Sequence, residues 1–392
     1  MSAISDSYES YFVIDNSEFN NMNILGYLFS DNSIYWINNV KINNITTNAK
    51  TLFHFNNQKP IYNDWRYSNM VEINHLSVNK IKCTGDESDS SLILFDTMDI
   101  KQSLVMNDIT VQNSSLNGPL IKIKGQASNF TLENSYFKNI VTYGPIIENK
   151  SKSKVIINNT VFDSNTNEDK NECGCIQFNK DIDITITNSK FNNNRTKRSN
   201  AGAVLENNTF IENRGLNGGA IYFKEGIINN DGENGKIVIR NNIFNKNIAD
   251  KFGGAIYSEY SKLYLAEAEN NKITENKASI MGGGVYTPYS VNLTMFNLKS
   301  EELKDNTVDN YLNNRESYPA YIKLNINTDN LITVTTGELF PMNFSLYNYY
   351  DDIFVDKSKY YSMILLKVVL VSEEDVNHIF SKVNGNVGSF ND

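Results

Sequence analysis

A glycine-centred phrase recurs four times between residues 200 and 286 and limits what the chain can fold into. It appears as Asn200-Ala201-Gly202-Ala203-Val204, Gly218-Gly219-Ala220-Ile221-Tyr222, Gly253-Gly254-Ala255-Ile256-Tyr257 and Gly282-Gly283-Gly284-Val285-Tyr286. A second phrase alternates with it, at residues 208–213, 242–247 and 271–276. Self-similarity at a period of this size is typical of stacked repeats rather than of one globular core.

The branched residue after each Gly-Ala pair marks a column that extends back into the first half of the chain. Its members are Ile121, Ile147, Ile176, Val204, Ile221, Ile256 and Val285, separated by 26, 29, 28, 17, 35 and 29 residues. The residues between them are rich in Asn and have no 3.6-residue period, so helices do not fit there. The pattern predicts coils of two or three short parallel strands, stacked at about 4.8 Å per coil.

An aromatic column accompanies the aliphatic one. It consists of Phe137, Phe162, Phe191, Phe210 and Phe244, followed by Ile273. We expect these rings to fill the centre of each coil, and the Asn that stands three residues after most of them to cap a turn. Asn makes up 63 of the 392 residues, which suits a turn-rich solenoid because Asn tolerates the left-handed region and its amide can bond along a ladder.

The pairing of Gly-Gly-Ala-(Ile/Val) with Phe-x-x-Asn resembles the polymorphic outer-membrane protein repeat. That repeat occurs in surface proteins with a right-handed parallel β-helix of the pectin-lyase-like class. The match is good over residues 200–286 and weaker over 118–199. The resemblance implies a secreted or surface-displayed protein that serves adhesion or recognition.

The sequence therefore predicts an all-β chain, in which a right-handed parallel β-helix is followed by a small, incomplete antiparallel β-sandwich. Residues 1–117 are predicted as degenerate N-terminal coils, 118–287 as regular repeats and 288–317 as a linker. The segment 318–392 is predicted as a truncated immunoglobulin-like domain, because it shows only about four of the roughly seven strands required. The step of 17 residues predicts a shortened coil near Leu205–Asn213, and residues 226–236 are predicted to form an inserted loop.

Composition excludes some functions and leaves others open. The net charge is −9 with no basic run, which disfavours nucleic acid because binding it needs a clustered positive surface. The longest apolar run, Met363 to Val371, is interrupted by Lys367 and is too short to span a membrane. Residues 1–20 contain no secretory signal. We predict an extracellular or cell-surface location, and we therefore expect that the chain lacks its true N-terminus.

No catalytic, metal or cofactor site is predicted. Hydrolases of the pectin-lyase-like class gather several Asp side chains on one face as acid and base. Here Asn327-Thr328-Asp329 and Asp351-Asp352 lie outside the predicted helix, and no Gly-His-Gly follows. Three cysteines do not form a disulfide framework, and Cys175 falls in the column of small residues, which favours a buried structural role over a zinc site.

One exterior feature is a candidate binding site. Tyr222, Tyr257 and Tyr286 each follow a column residue and are predicted to form a ladder of three exposed rings. Such a row could stack on sugar rings. The alternative is that the tyrosines only stabilise the sheet through cross-strand stacking.

Three hypotheses of function follow from the sequence. The first is a non-enzymatic surface or secreted module that recognises a glycan or a protein ligand. The second is a divergent polysaccharide lyase or glycoside hydrolase, and the third is the structural stalk of a larger surface protein. A cluster of carboxylates on one sheet face would favour the enzyme, and ladders of Asn, Thr and Tyr would favour binding.

Overall fold

Parallel strands stacked along one axis build most of the chain. The computed structural model describes residues 4–5, 11–31, 34–48, 51–56, 70–86, 90–98, 101–126, 129–151, 153–169, 176–178, 184–195, 204–223, 238–259, 267–287, 302–326, 333–335, 337–361, 364–371, 379–381 and 384–390. Throughout these residues the regular elements are β-strands, and none of them is an α-helix. The predicted fold class, a parallel β-helix with a small antiparallel part, is confirmed.

The first coils alternate a long strand with a short one. The strands are β1 (Ile4–Ser5), β2 (Tyr11–Ile24), β3 (Phe29–Asp31), β4 (Ile34–Thr47), β5 (Thr51–Asn56), β6 (Met70–Cys83), β7 (Ser91–Asp96), β8 (Ser103–Leu116) and β9 (Ile121–Lys124). β2, β4, β6 and β8 have 14 residues each and pair in parallel. The five short strands pair side by side in a second sheet. The helix therefore extends well before residue 118.

In the following coils, turns divide each long strand into shorter ones. These strands are β10 (Asn129–Glu133), β11 (Tyr136–Thr142), β12 (Ile147–Asn149), β13 (Lys154–Asn158), β14 (Val161–Asp163), β15 (Thr166–Asn167), β16 (Ile176–Phe178), β17 (Ile184–Thr187), β18 (Lys190–Asn192), β19 (Val204–Glu206), β20 (Thr209–Ile211), β21 (Arg214–Gly215), β22 (Ile221–Phe223), β23 (Val238–Arg240), β24 (Ile243–Asn245), β25 (Ile248–Ala249), β26 (Ile256–Ser258), β27 (Glu267–Glu269), β28 (Lys272–Thr274), β29 (Lys277–Ala278) and β30 (Val285–Thr287).

The predicted aliphatic column forms, with one exception. Ile147 pairs with both Ile121 and Ile176, and Ile256 pairs with both Ile221 and Val285. Val204 is the exception, because it pairs with Thr185 and Val238 in the other sheet. The Gly-Ala phrase before Val204 thus leads into the first strand of a coil, whereas the other copies lead into the last.

The short coil lies one coil earlier than predicted. Bonded partners in neighbouring coils are 29 residues apart at Thr160 and Ser189, but only 19 residues apart at Ser189 and Asn208. The next spacing, from Asn208 to Asn242, is 34 residues. The shortened coil therefore begins at β17 and ends where β19 begins, just before Leu205–Asn213. The predicted loop at 226–236 lies outside the described residues.

The aromatic column is a continuous stack at the centre of the helix. Consecutive rings of Phe137, Phe162, Phe191, Phe210 and Phe244 have centroids 5.2, 4.9, 4.9 and 4.9 Å apart and lie within 11° of parallel. Ile273 pairs with Phe244 at the end of the stack. Because offset stacking is a favourable arrangement of aromatic rings, this column stabilises the coils in register.

Beside the stack runs a ladder of buried asparagines, here called the inner Asn ladder. Each member after the first accepts, at Oδ1, bonds from the member in the preceding coil: Asn213 donates to Asn247 Oδ1 from its backbone N (3.0 Å) and from Nδ2 (2.9 Å). Each Nδ2 also donates to the carbonyl of the preceding column residue, as Asn247 does to Phe210 O at 2.9 Å. The members are Asn165, Asn194, Asn213, Asn247, Asn276 and Asn306. The Asn of the Phe-x-x-Asn phrase thus caps a turn, as predicted, and also bonds along the helix axis.

The second half of the predicted linker is a further coil. Its strands are β31 (Leu303–Lys304), β32 (Thr307–Val308), β33 (Tyr311–Leu312) and β34 (Arg315–Ser317). β31, β32 and β34 continue the parallel pairing of β28, β29 and β30. Residues 302–317 therefore belong to the helix, because their backbone groups pair with the last repeat; residues 288–301 lie outside the described part.

The antiparallel part follows the last coil. Its strands are β35 (Pro319–Leu324), β36 (Phe344–Asn348), β37 (Leu365–Lys367), β38 (Leu370–Val371), β39 (Ile379–Ser381) and β40 (Val387–Ser389). They pair as β35 with β36, β37 with β40 and β38 with β39. The described residues thus give three two-stranded sheets here, rather than the two packed sheets of a sandwich.

Candidate functional site

The three candidate tyrosines form the predicted ladder. Tyr222 pairs with Tyr257, and Tyr257 pairs with Tyr286, in the sheet of β22, β26 and β30. Their ring centroids are 5.0 and 5.8 Å apart, and the second pair is parallel within 3°. The predicted exposure is wrong, however, because the three residues are 3%, 6% and 1% exposed.

Side chains from two other parts of the chain cover the ladder. Phe252 stacks on Tyr286 at 4.6 Å. Tyr361 lies with its hydroxyl 3.0 Å from that of Tyr286, and Leu346 and Phe354 belong to the same buried cluster. Burial raises the pKa of the Tyr286 hydroxyl. The ladder therefore offers no open face on which a sugar ring could stack.

Glu316 occupies the next position of the same column. It pairs with Tyr286 through β34, is 3% exposed, and accepts hydrogen bonds from Asn348 Nδ2, Ser317 N and Asn313 Nδ2. Burial raises the pKa of its carboxyl to about 7, although these three donors oppose the shift. Sequence analysis missed this residue, since nothing in the repeat phrases indicates that an acidic side chain continues an aromatic column.

The exposed counterpart of these buried columns is a second row of asparagines, here called the outer Asn ladder. Its members occupy left-handed turns with φ between 49° and 56°, one in each of six successive coils. Nδ2 of Asn159 donates to Asn134 Oδ1 at 2.7 Å, and Nδ2 of Asn270 donates to Asn241 Oδ1 at 3.3 Å. The members are Asn134, Asn159, Asn188, Asn207, Asn241 and Asn270. They place amide groups in solvent at about 4.8 Å intervals, the spacing of paired strands.

A charged cluster flanks the last members of the outer Asn ladder. Arg240 lies 2.5 Å from Glu267, 3.7 Å from Glu206 and 3.8 Å from Glu269. All four side chains are about one-third exposed or more. Three carboxylates thus share one guanidinium on an open face. This is the geometry of a surface ion-pair network, and it differs from the apolar pocket that keeps a general acid protonated.

The three histidines, Cys173 and Cys175 either have polar partners or lie outside the described residues. The ring of His75 is 2.7 Å from Asp108 on the surface, and His54 is 3.3 Å from Ser30. Cys173, Cys175 and His378 are not among the described residues. Within the described ranges, no group of three or more His, Cys, Asp or Glu side chains could hold a metal ion.

Comparison of the chain with protein-family models, with curated proteins and with solved structures gave no match. The described part of the chain contains no apolar helix of membrane-spanning length.

Proposed function

We propose that this protein is a non-enzymatic recognition module, displayed at the cell surface or secreted, that binds an extended glycan or protein ligand along its outer Asn ladder. The repeated Gly-Gly-Ala-(Ile/Val) and Phe-x-x-Asn phrases support its placement with the polymorphic outer-membrane protein repeats of the pectin-lyase-like class. The outer Asn ladder is the single observation that carries the proposal. It presents both hydrogen-bond donors and acceptors at a regular spacing on an exposed edge.

The chemistry of this edge suits an extended polar ligand. Each amide offers a carbonyl acceptor and two N–H donors, and neighbouring amides use only part of that capacity on each other. The helix holds the row rigidly, so little conformational entropy is lost on binding. A polymer lying parallel to the helix axis would meet an amide at every coil.

The test is retention of the protein on a panel of plant and microbial polysaccharides, with product release scored in the same samples. The informative variant is Asn188→Gly/Asn207→Gly/Asn241→Gly, because Gly accepts the left-handed backbone while the amides are lost. The matched control is Asn113→Gly/Asn139→Gly/Asn193→Gly, which makes the same change at exposed left-handed turns of another edge. The proposal is supported if the wild type and the control variant are retained and the Asn188/Asn207/Asn241 variant is not. Equal retention by both variants contradicts it.

A divergent polysaccharide lyase or glycoside hydrolase is the second candidate, favoured by the convergence of Glu206, Glu267 and Glu269 on Arg240. Release of reducing or unsaturated sugar ends by the wild type, abolished by Glu206→Gln/Glu267→Gln, would establish it. If the protein is neither retained on any polysaccharide nor releases product from one, the third hypothesis, a structural stalk, is favoured.

A further inference from the structure

The contact between the antiparallel part and the helix is centred on one carboxyl group. Residues 346–361, here called the C-terminal cover, lie against the sheet that carries the tyrosine ladder. Asn348 donates to Glu316 from Nδ2, and its own Oδ1 accepts from Tyr350 N (2.9 Å) and Asp352 N (3.0 Å). Glu316 therefore holds the turn that brings the C-terminal cover onto the last coil.

Two hydroxyl contacts and an apolar cluster complete the junction. Thr287 Oγ1 lies 2.6 Å from the hydroxyl of Tyr350, and the hydroxyls of Tyr286 and Tyr361 lie 3.0 Å apart. Phe354 is buried in the same cluster. The Tyr286 end of the tyrosine ladder is thus covered in part by residues that follow Tyr286 by some 60 to 75 positions along the chain.

The charge of Glu316 is poorly compensated at this junction. Its three hydrogen-bond donors are two amide side chains and one backbone N–H, all of them neutral. Arg315, the neighbouring cation, points to Asp352 at 3.3 Å and lies over the ring of Tyr350 at 4.7 Å. The titratable and charged groups on the elements packed around Glu316 include Tyr286, Tyr311, Arg315, Tyr350 and Asp352. Lys357 of the C-terminal cover lies over the ring of Tyr311 at 4.4 Å. Asp352 opposes ionisation of Glu316 further.

We propose that the C-terminal cover is a pH-sensitive lid, which protonation of Glu316 holds against the tyrosine ladder and ionisation of Glu316 loosens. When the lid lifts, it uncovers Tyr286 at the end of the tyrosine ladder and hydrates the carboxylate. The device does not depend on which ligand the outer Asn ladder binds.

The direction follows from linkage. The pKa of Glu316 is about 7 with the lid closed and 4.5 when the group is solvated. Closure is therefore fully favoured below pH 4.5, weakens as pH rises, and reaches its lower limit above pH 7. The full shift corresponds to a change of at most about 300-fold in the closed-to-open ratio.

Amide hydrogen exchange of residues 344–361, corrected for intrinsic rates, tests the proposal between pH 5 and 8. We expect protection in the wild type to fall by up to about 70-fold over this range, which is the part of the full shift that lies between pH 5 and 8. Glu316→Gln should remove the pH dependence, whereas Asp352→Asn, an exposed carboxyl at the same junction, should keep most of it. Tyr361→Phe should lower protection at every pH and leave its pH dependence in place.

Exchange at β26 reports in the same samples whether the helix remains folded. A wild-type profile that is flat with pH, or a pH dependence that survives in Glu316→Gln, would overturn the proposal. If Glu316→Gln releases the C-terminal cover at all pH values, that variant no longer tests the pH dependence, and Tyr361→Phe is used instead. A protection profile of Tyr361→Phe that does not change with pH would then overturn the proposal.

Discussion

Replacing one member of the inner Asn ladder should destabilise the helix far more than its small size suggests. Asn247→Ala is the sharpest case, because Asn247 is fully buried. Its Oδ1 accepts from the backbone N and Nδ2 of Asn213, at 3.0 and 2.9 Å. Its Nδ2 donates to Phe210 O and to Asn276 Oδ1, each at 2.9 Å. Four hydrogen bonds depend on this one side chain.

The cost can be estimated from the groups left behind. Alanine leaves the N–H of Asn213 and the carbonyl of Phe210 without these partners inside the coil. A buried polar group left unsatisfied costs about 1–3 kcal/mol. Asn276 Oδ1 keeps the bond from the backbone N of residue 247, so it contributes less. We expect the free energy of unfolding to fall by about 3–5 kcal/mol.

The assay must resolve single coils, since each coil of a solenoid contacts mainly its neighbours and unfolding need not be two-state. Hydrogen exchange of β20, β24 and β28, together with urea denaturation, gives the local and the global cost. Asn247→Asp is a useful companion. At pH 7 its carboxylate would face Phe210 O and Asn276 Oδ1, two acceptors that need a hydrogen-bond donor. Asn247→Asp should therefore lower the free energy of unfolding more than Asn247→Ala does. Acidification should narrow that difference.

The matched control is Asn241→Gly, an exposed asparagine of the same coil, which should change stability by less than about 0.5 kcal/mol. A loss below about 1 kcal/mol for Asn247→Ala, similar to that control, would refute the reasoning. So would an aspartate variant that is no worse than alanine at pH 7. Either result would mean that water or backbone movement replaces the ladder bonds.

Three further predictions concern the core. Phe210→Ala removes a ring stacked at 4.9 Å on both sides and should cost about 3–5 kcal/mol by urea denaturation, whereas Phe210→Leu should cost clearly less. Gly254→Ala should cost about 3 kcal/mol or more in thermal or urea unfolding, because its Cβ would collide with the carbonyl oxygen of Gly283; Gly388→Ala, with open space around it, should change little. Burial raises the pKa of the Cys83 thiol to about 12, so peptide-level mass spectrometry should find it unalkylated at pH 8 in the folded protein and alkylated in urea; rapid labelling of the folded protein would contradict this.

Spacing alone predicted the interior of the helix. The Phe column from Phe137 to Phe244 and most of the aliphatic column appear where the repeats place them, because interior positions of stacked coils recur at the same point of each coil. Val204 shows the limit of that inference. It carries the right phrase but lies in another sheet, since a coil of 19 residues shifts the phase between phrase and strand.

Which strands pair at the end of the β-helix and which side chains become buried depend on contacts that a repeat pattern does not contain. Residues 302–317 lack the glycine phrase, yet β34 pairs with β30 because the last repeat offers an open edge. The outer Asn ladder and the inner Asn ladder are built from the same residue type. Only the coil geometry decides that Asn241 faces solvent whereas Asn247, six residues later in the same coil, faces the core.

The sequence by itself determined the all-β class, the stacking of coils and the identity of the central column, because these follow from local periodicity. The tertiary structure decided the fate of Tyr222, Tyr257 and Tyr286. Their position on the outer side of a strand is local, and the sequence predicts it. Their burial is not local, because residues 346–361 fold back onto the last coils and bring Tyr361 against Tyr286. Whether a side chain is exposed depends on contacts with segments that are distant in the sequence, and the repeat pattern does not contain those contacts.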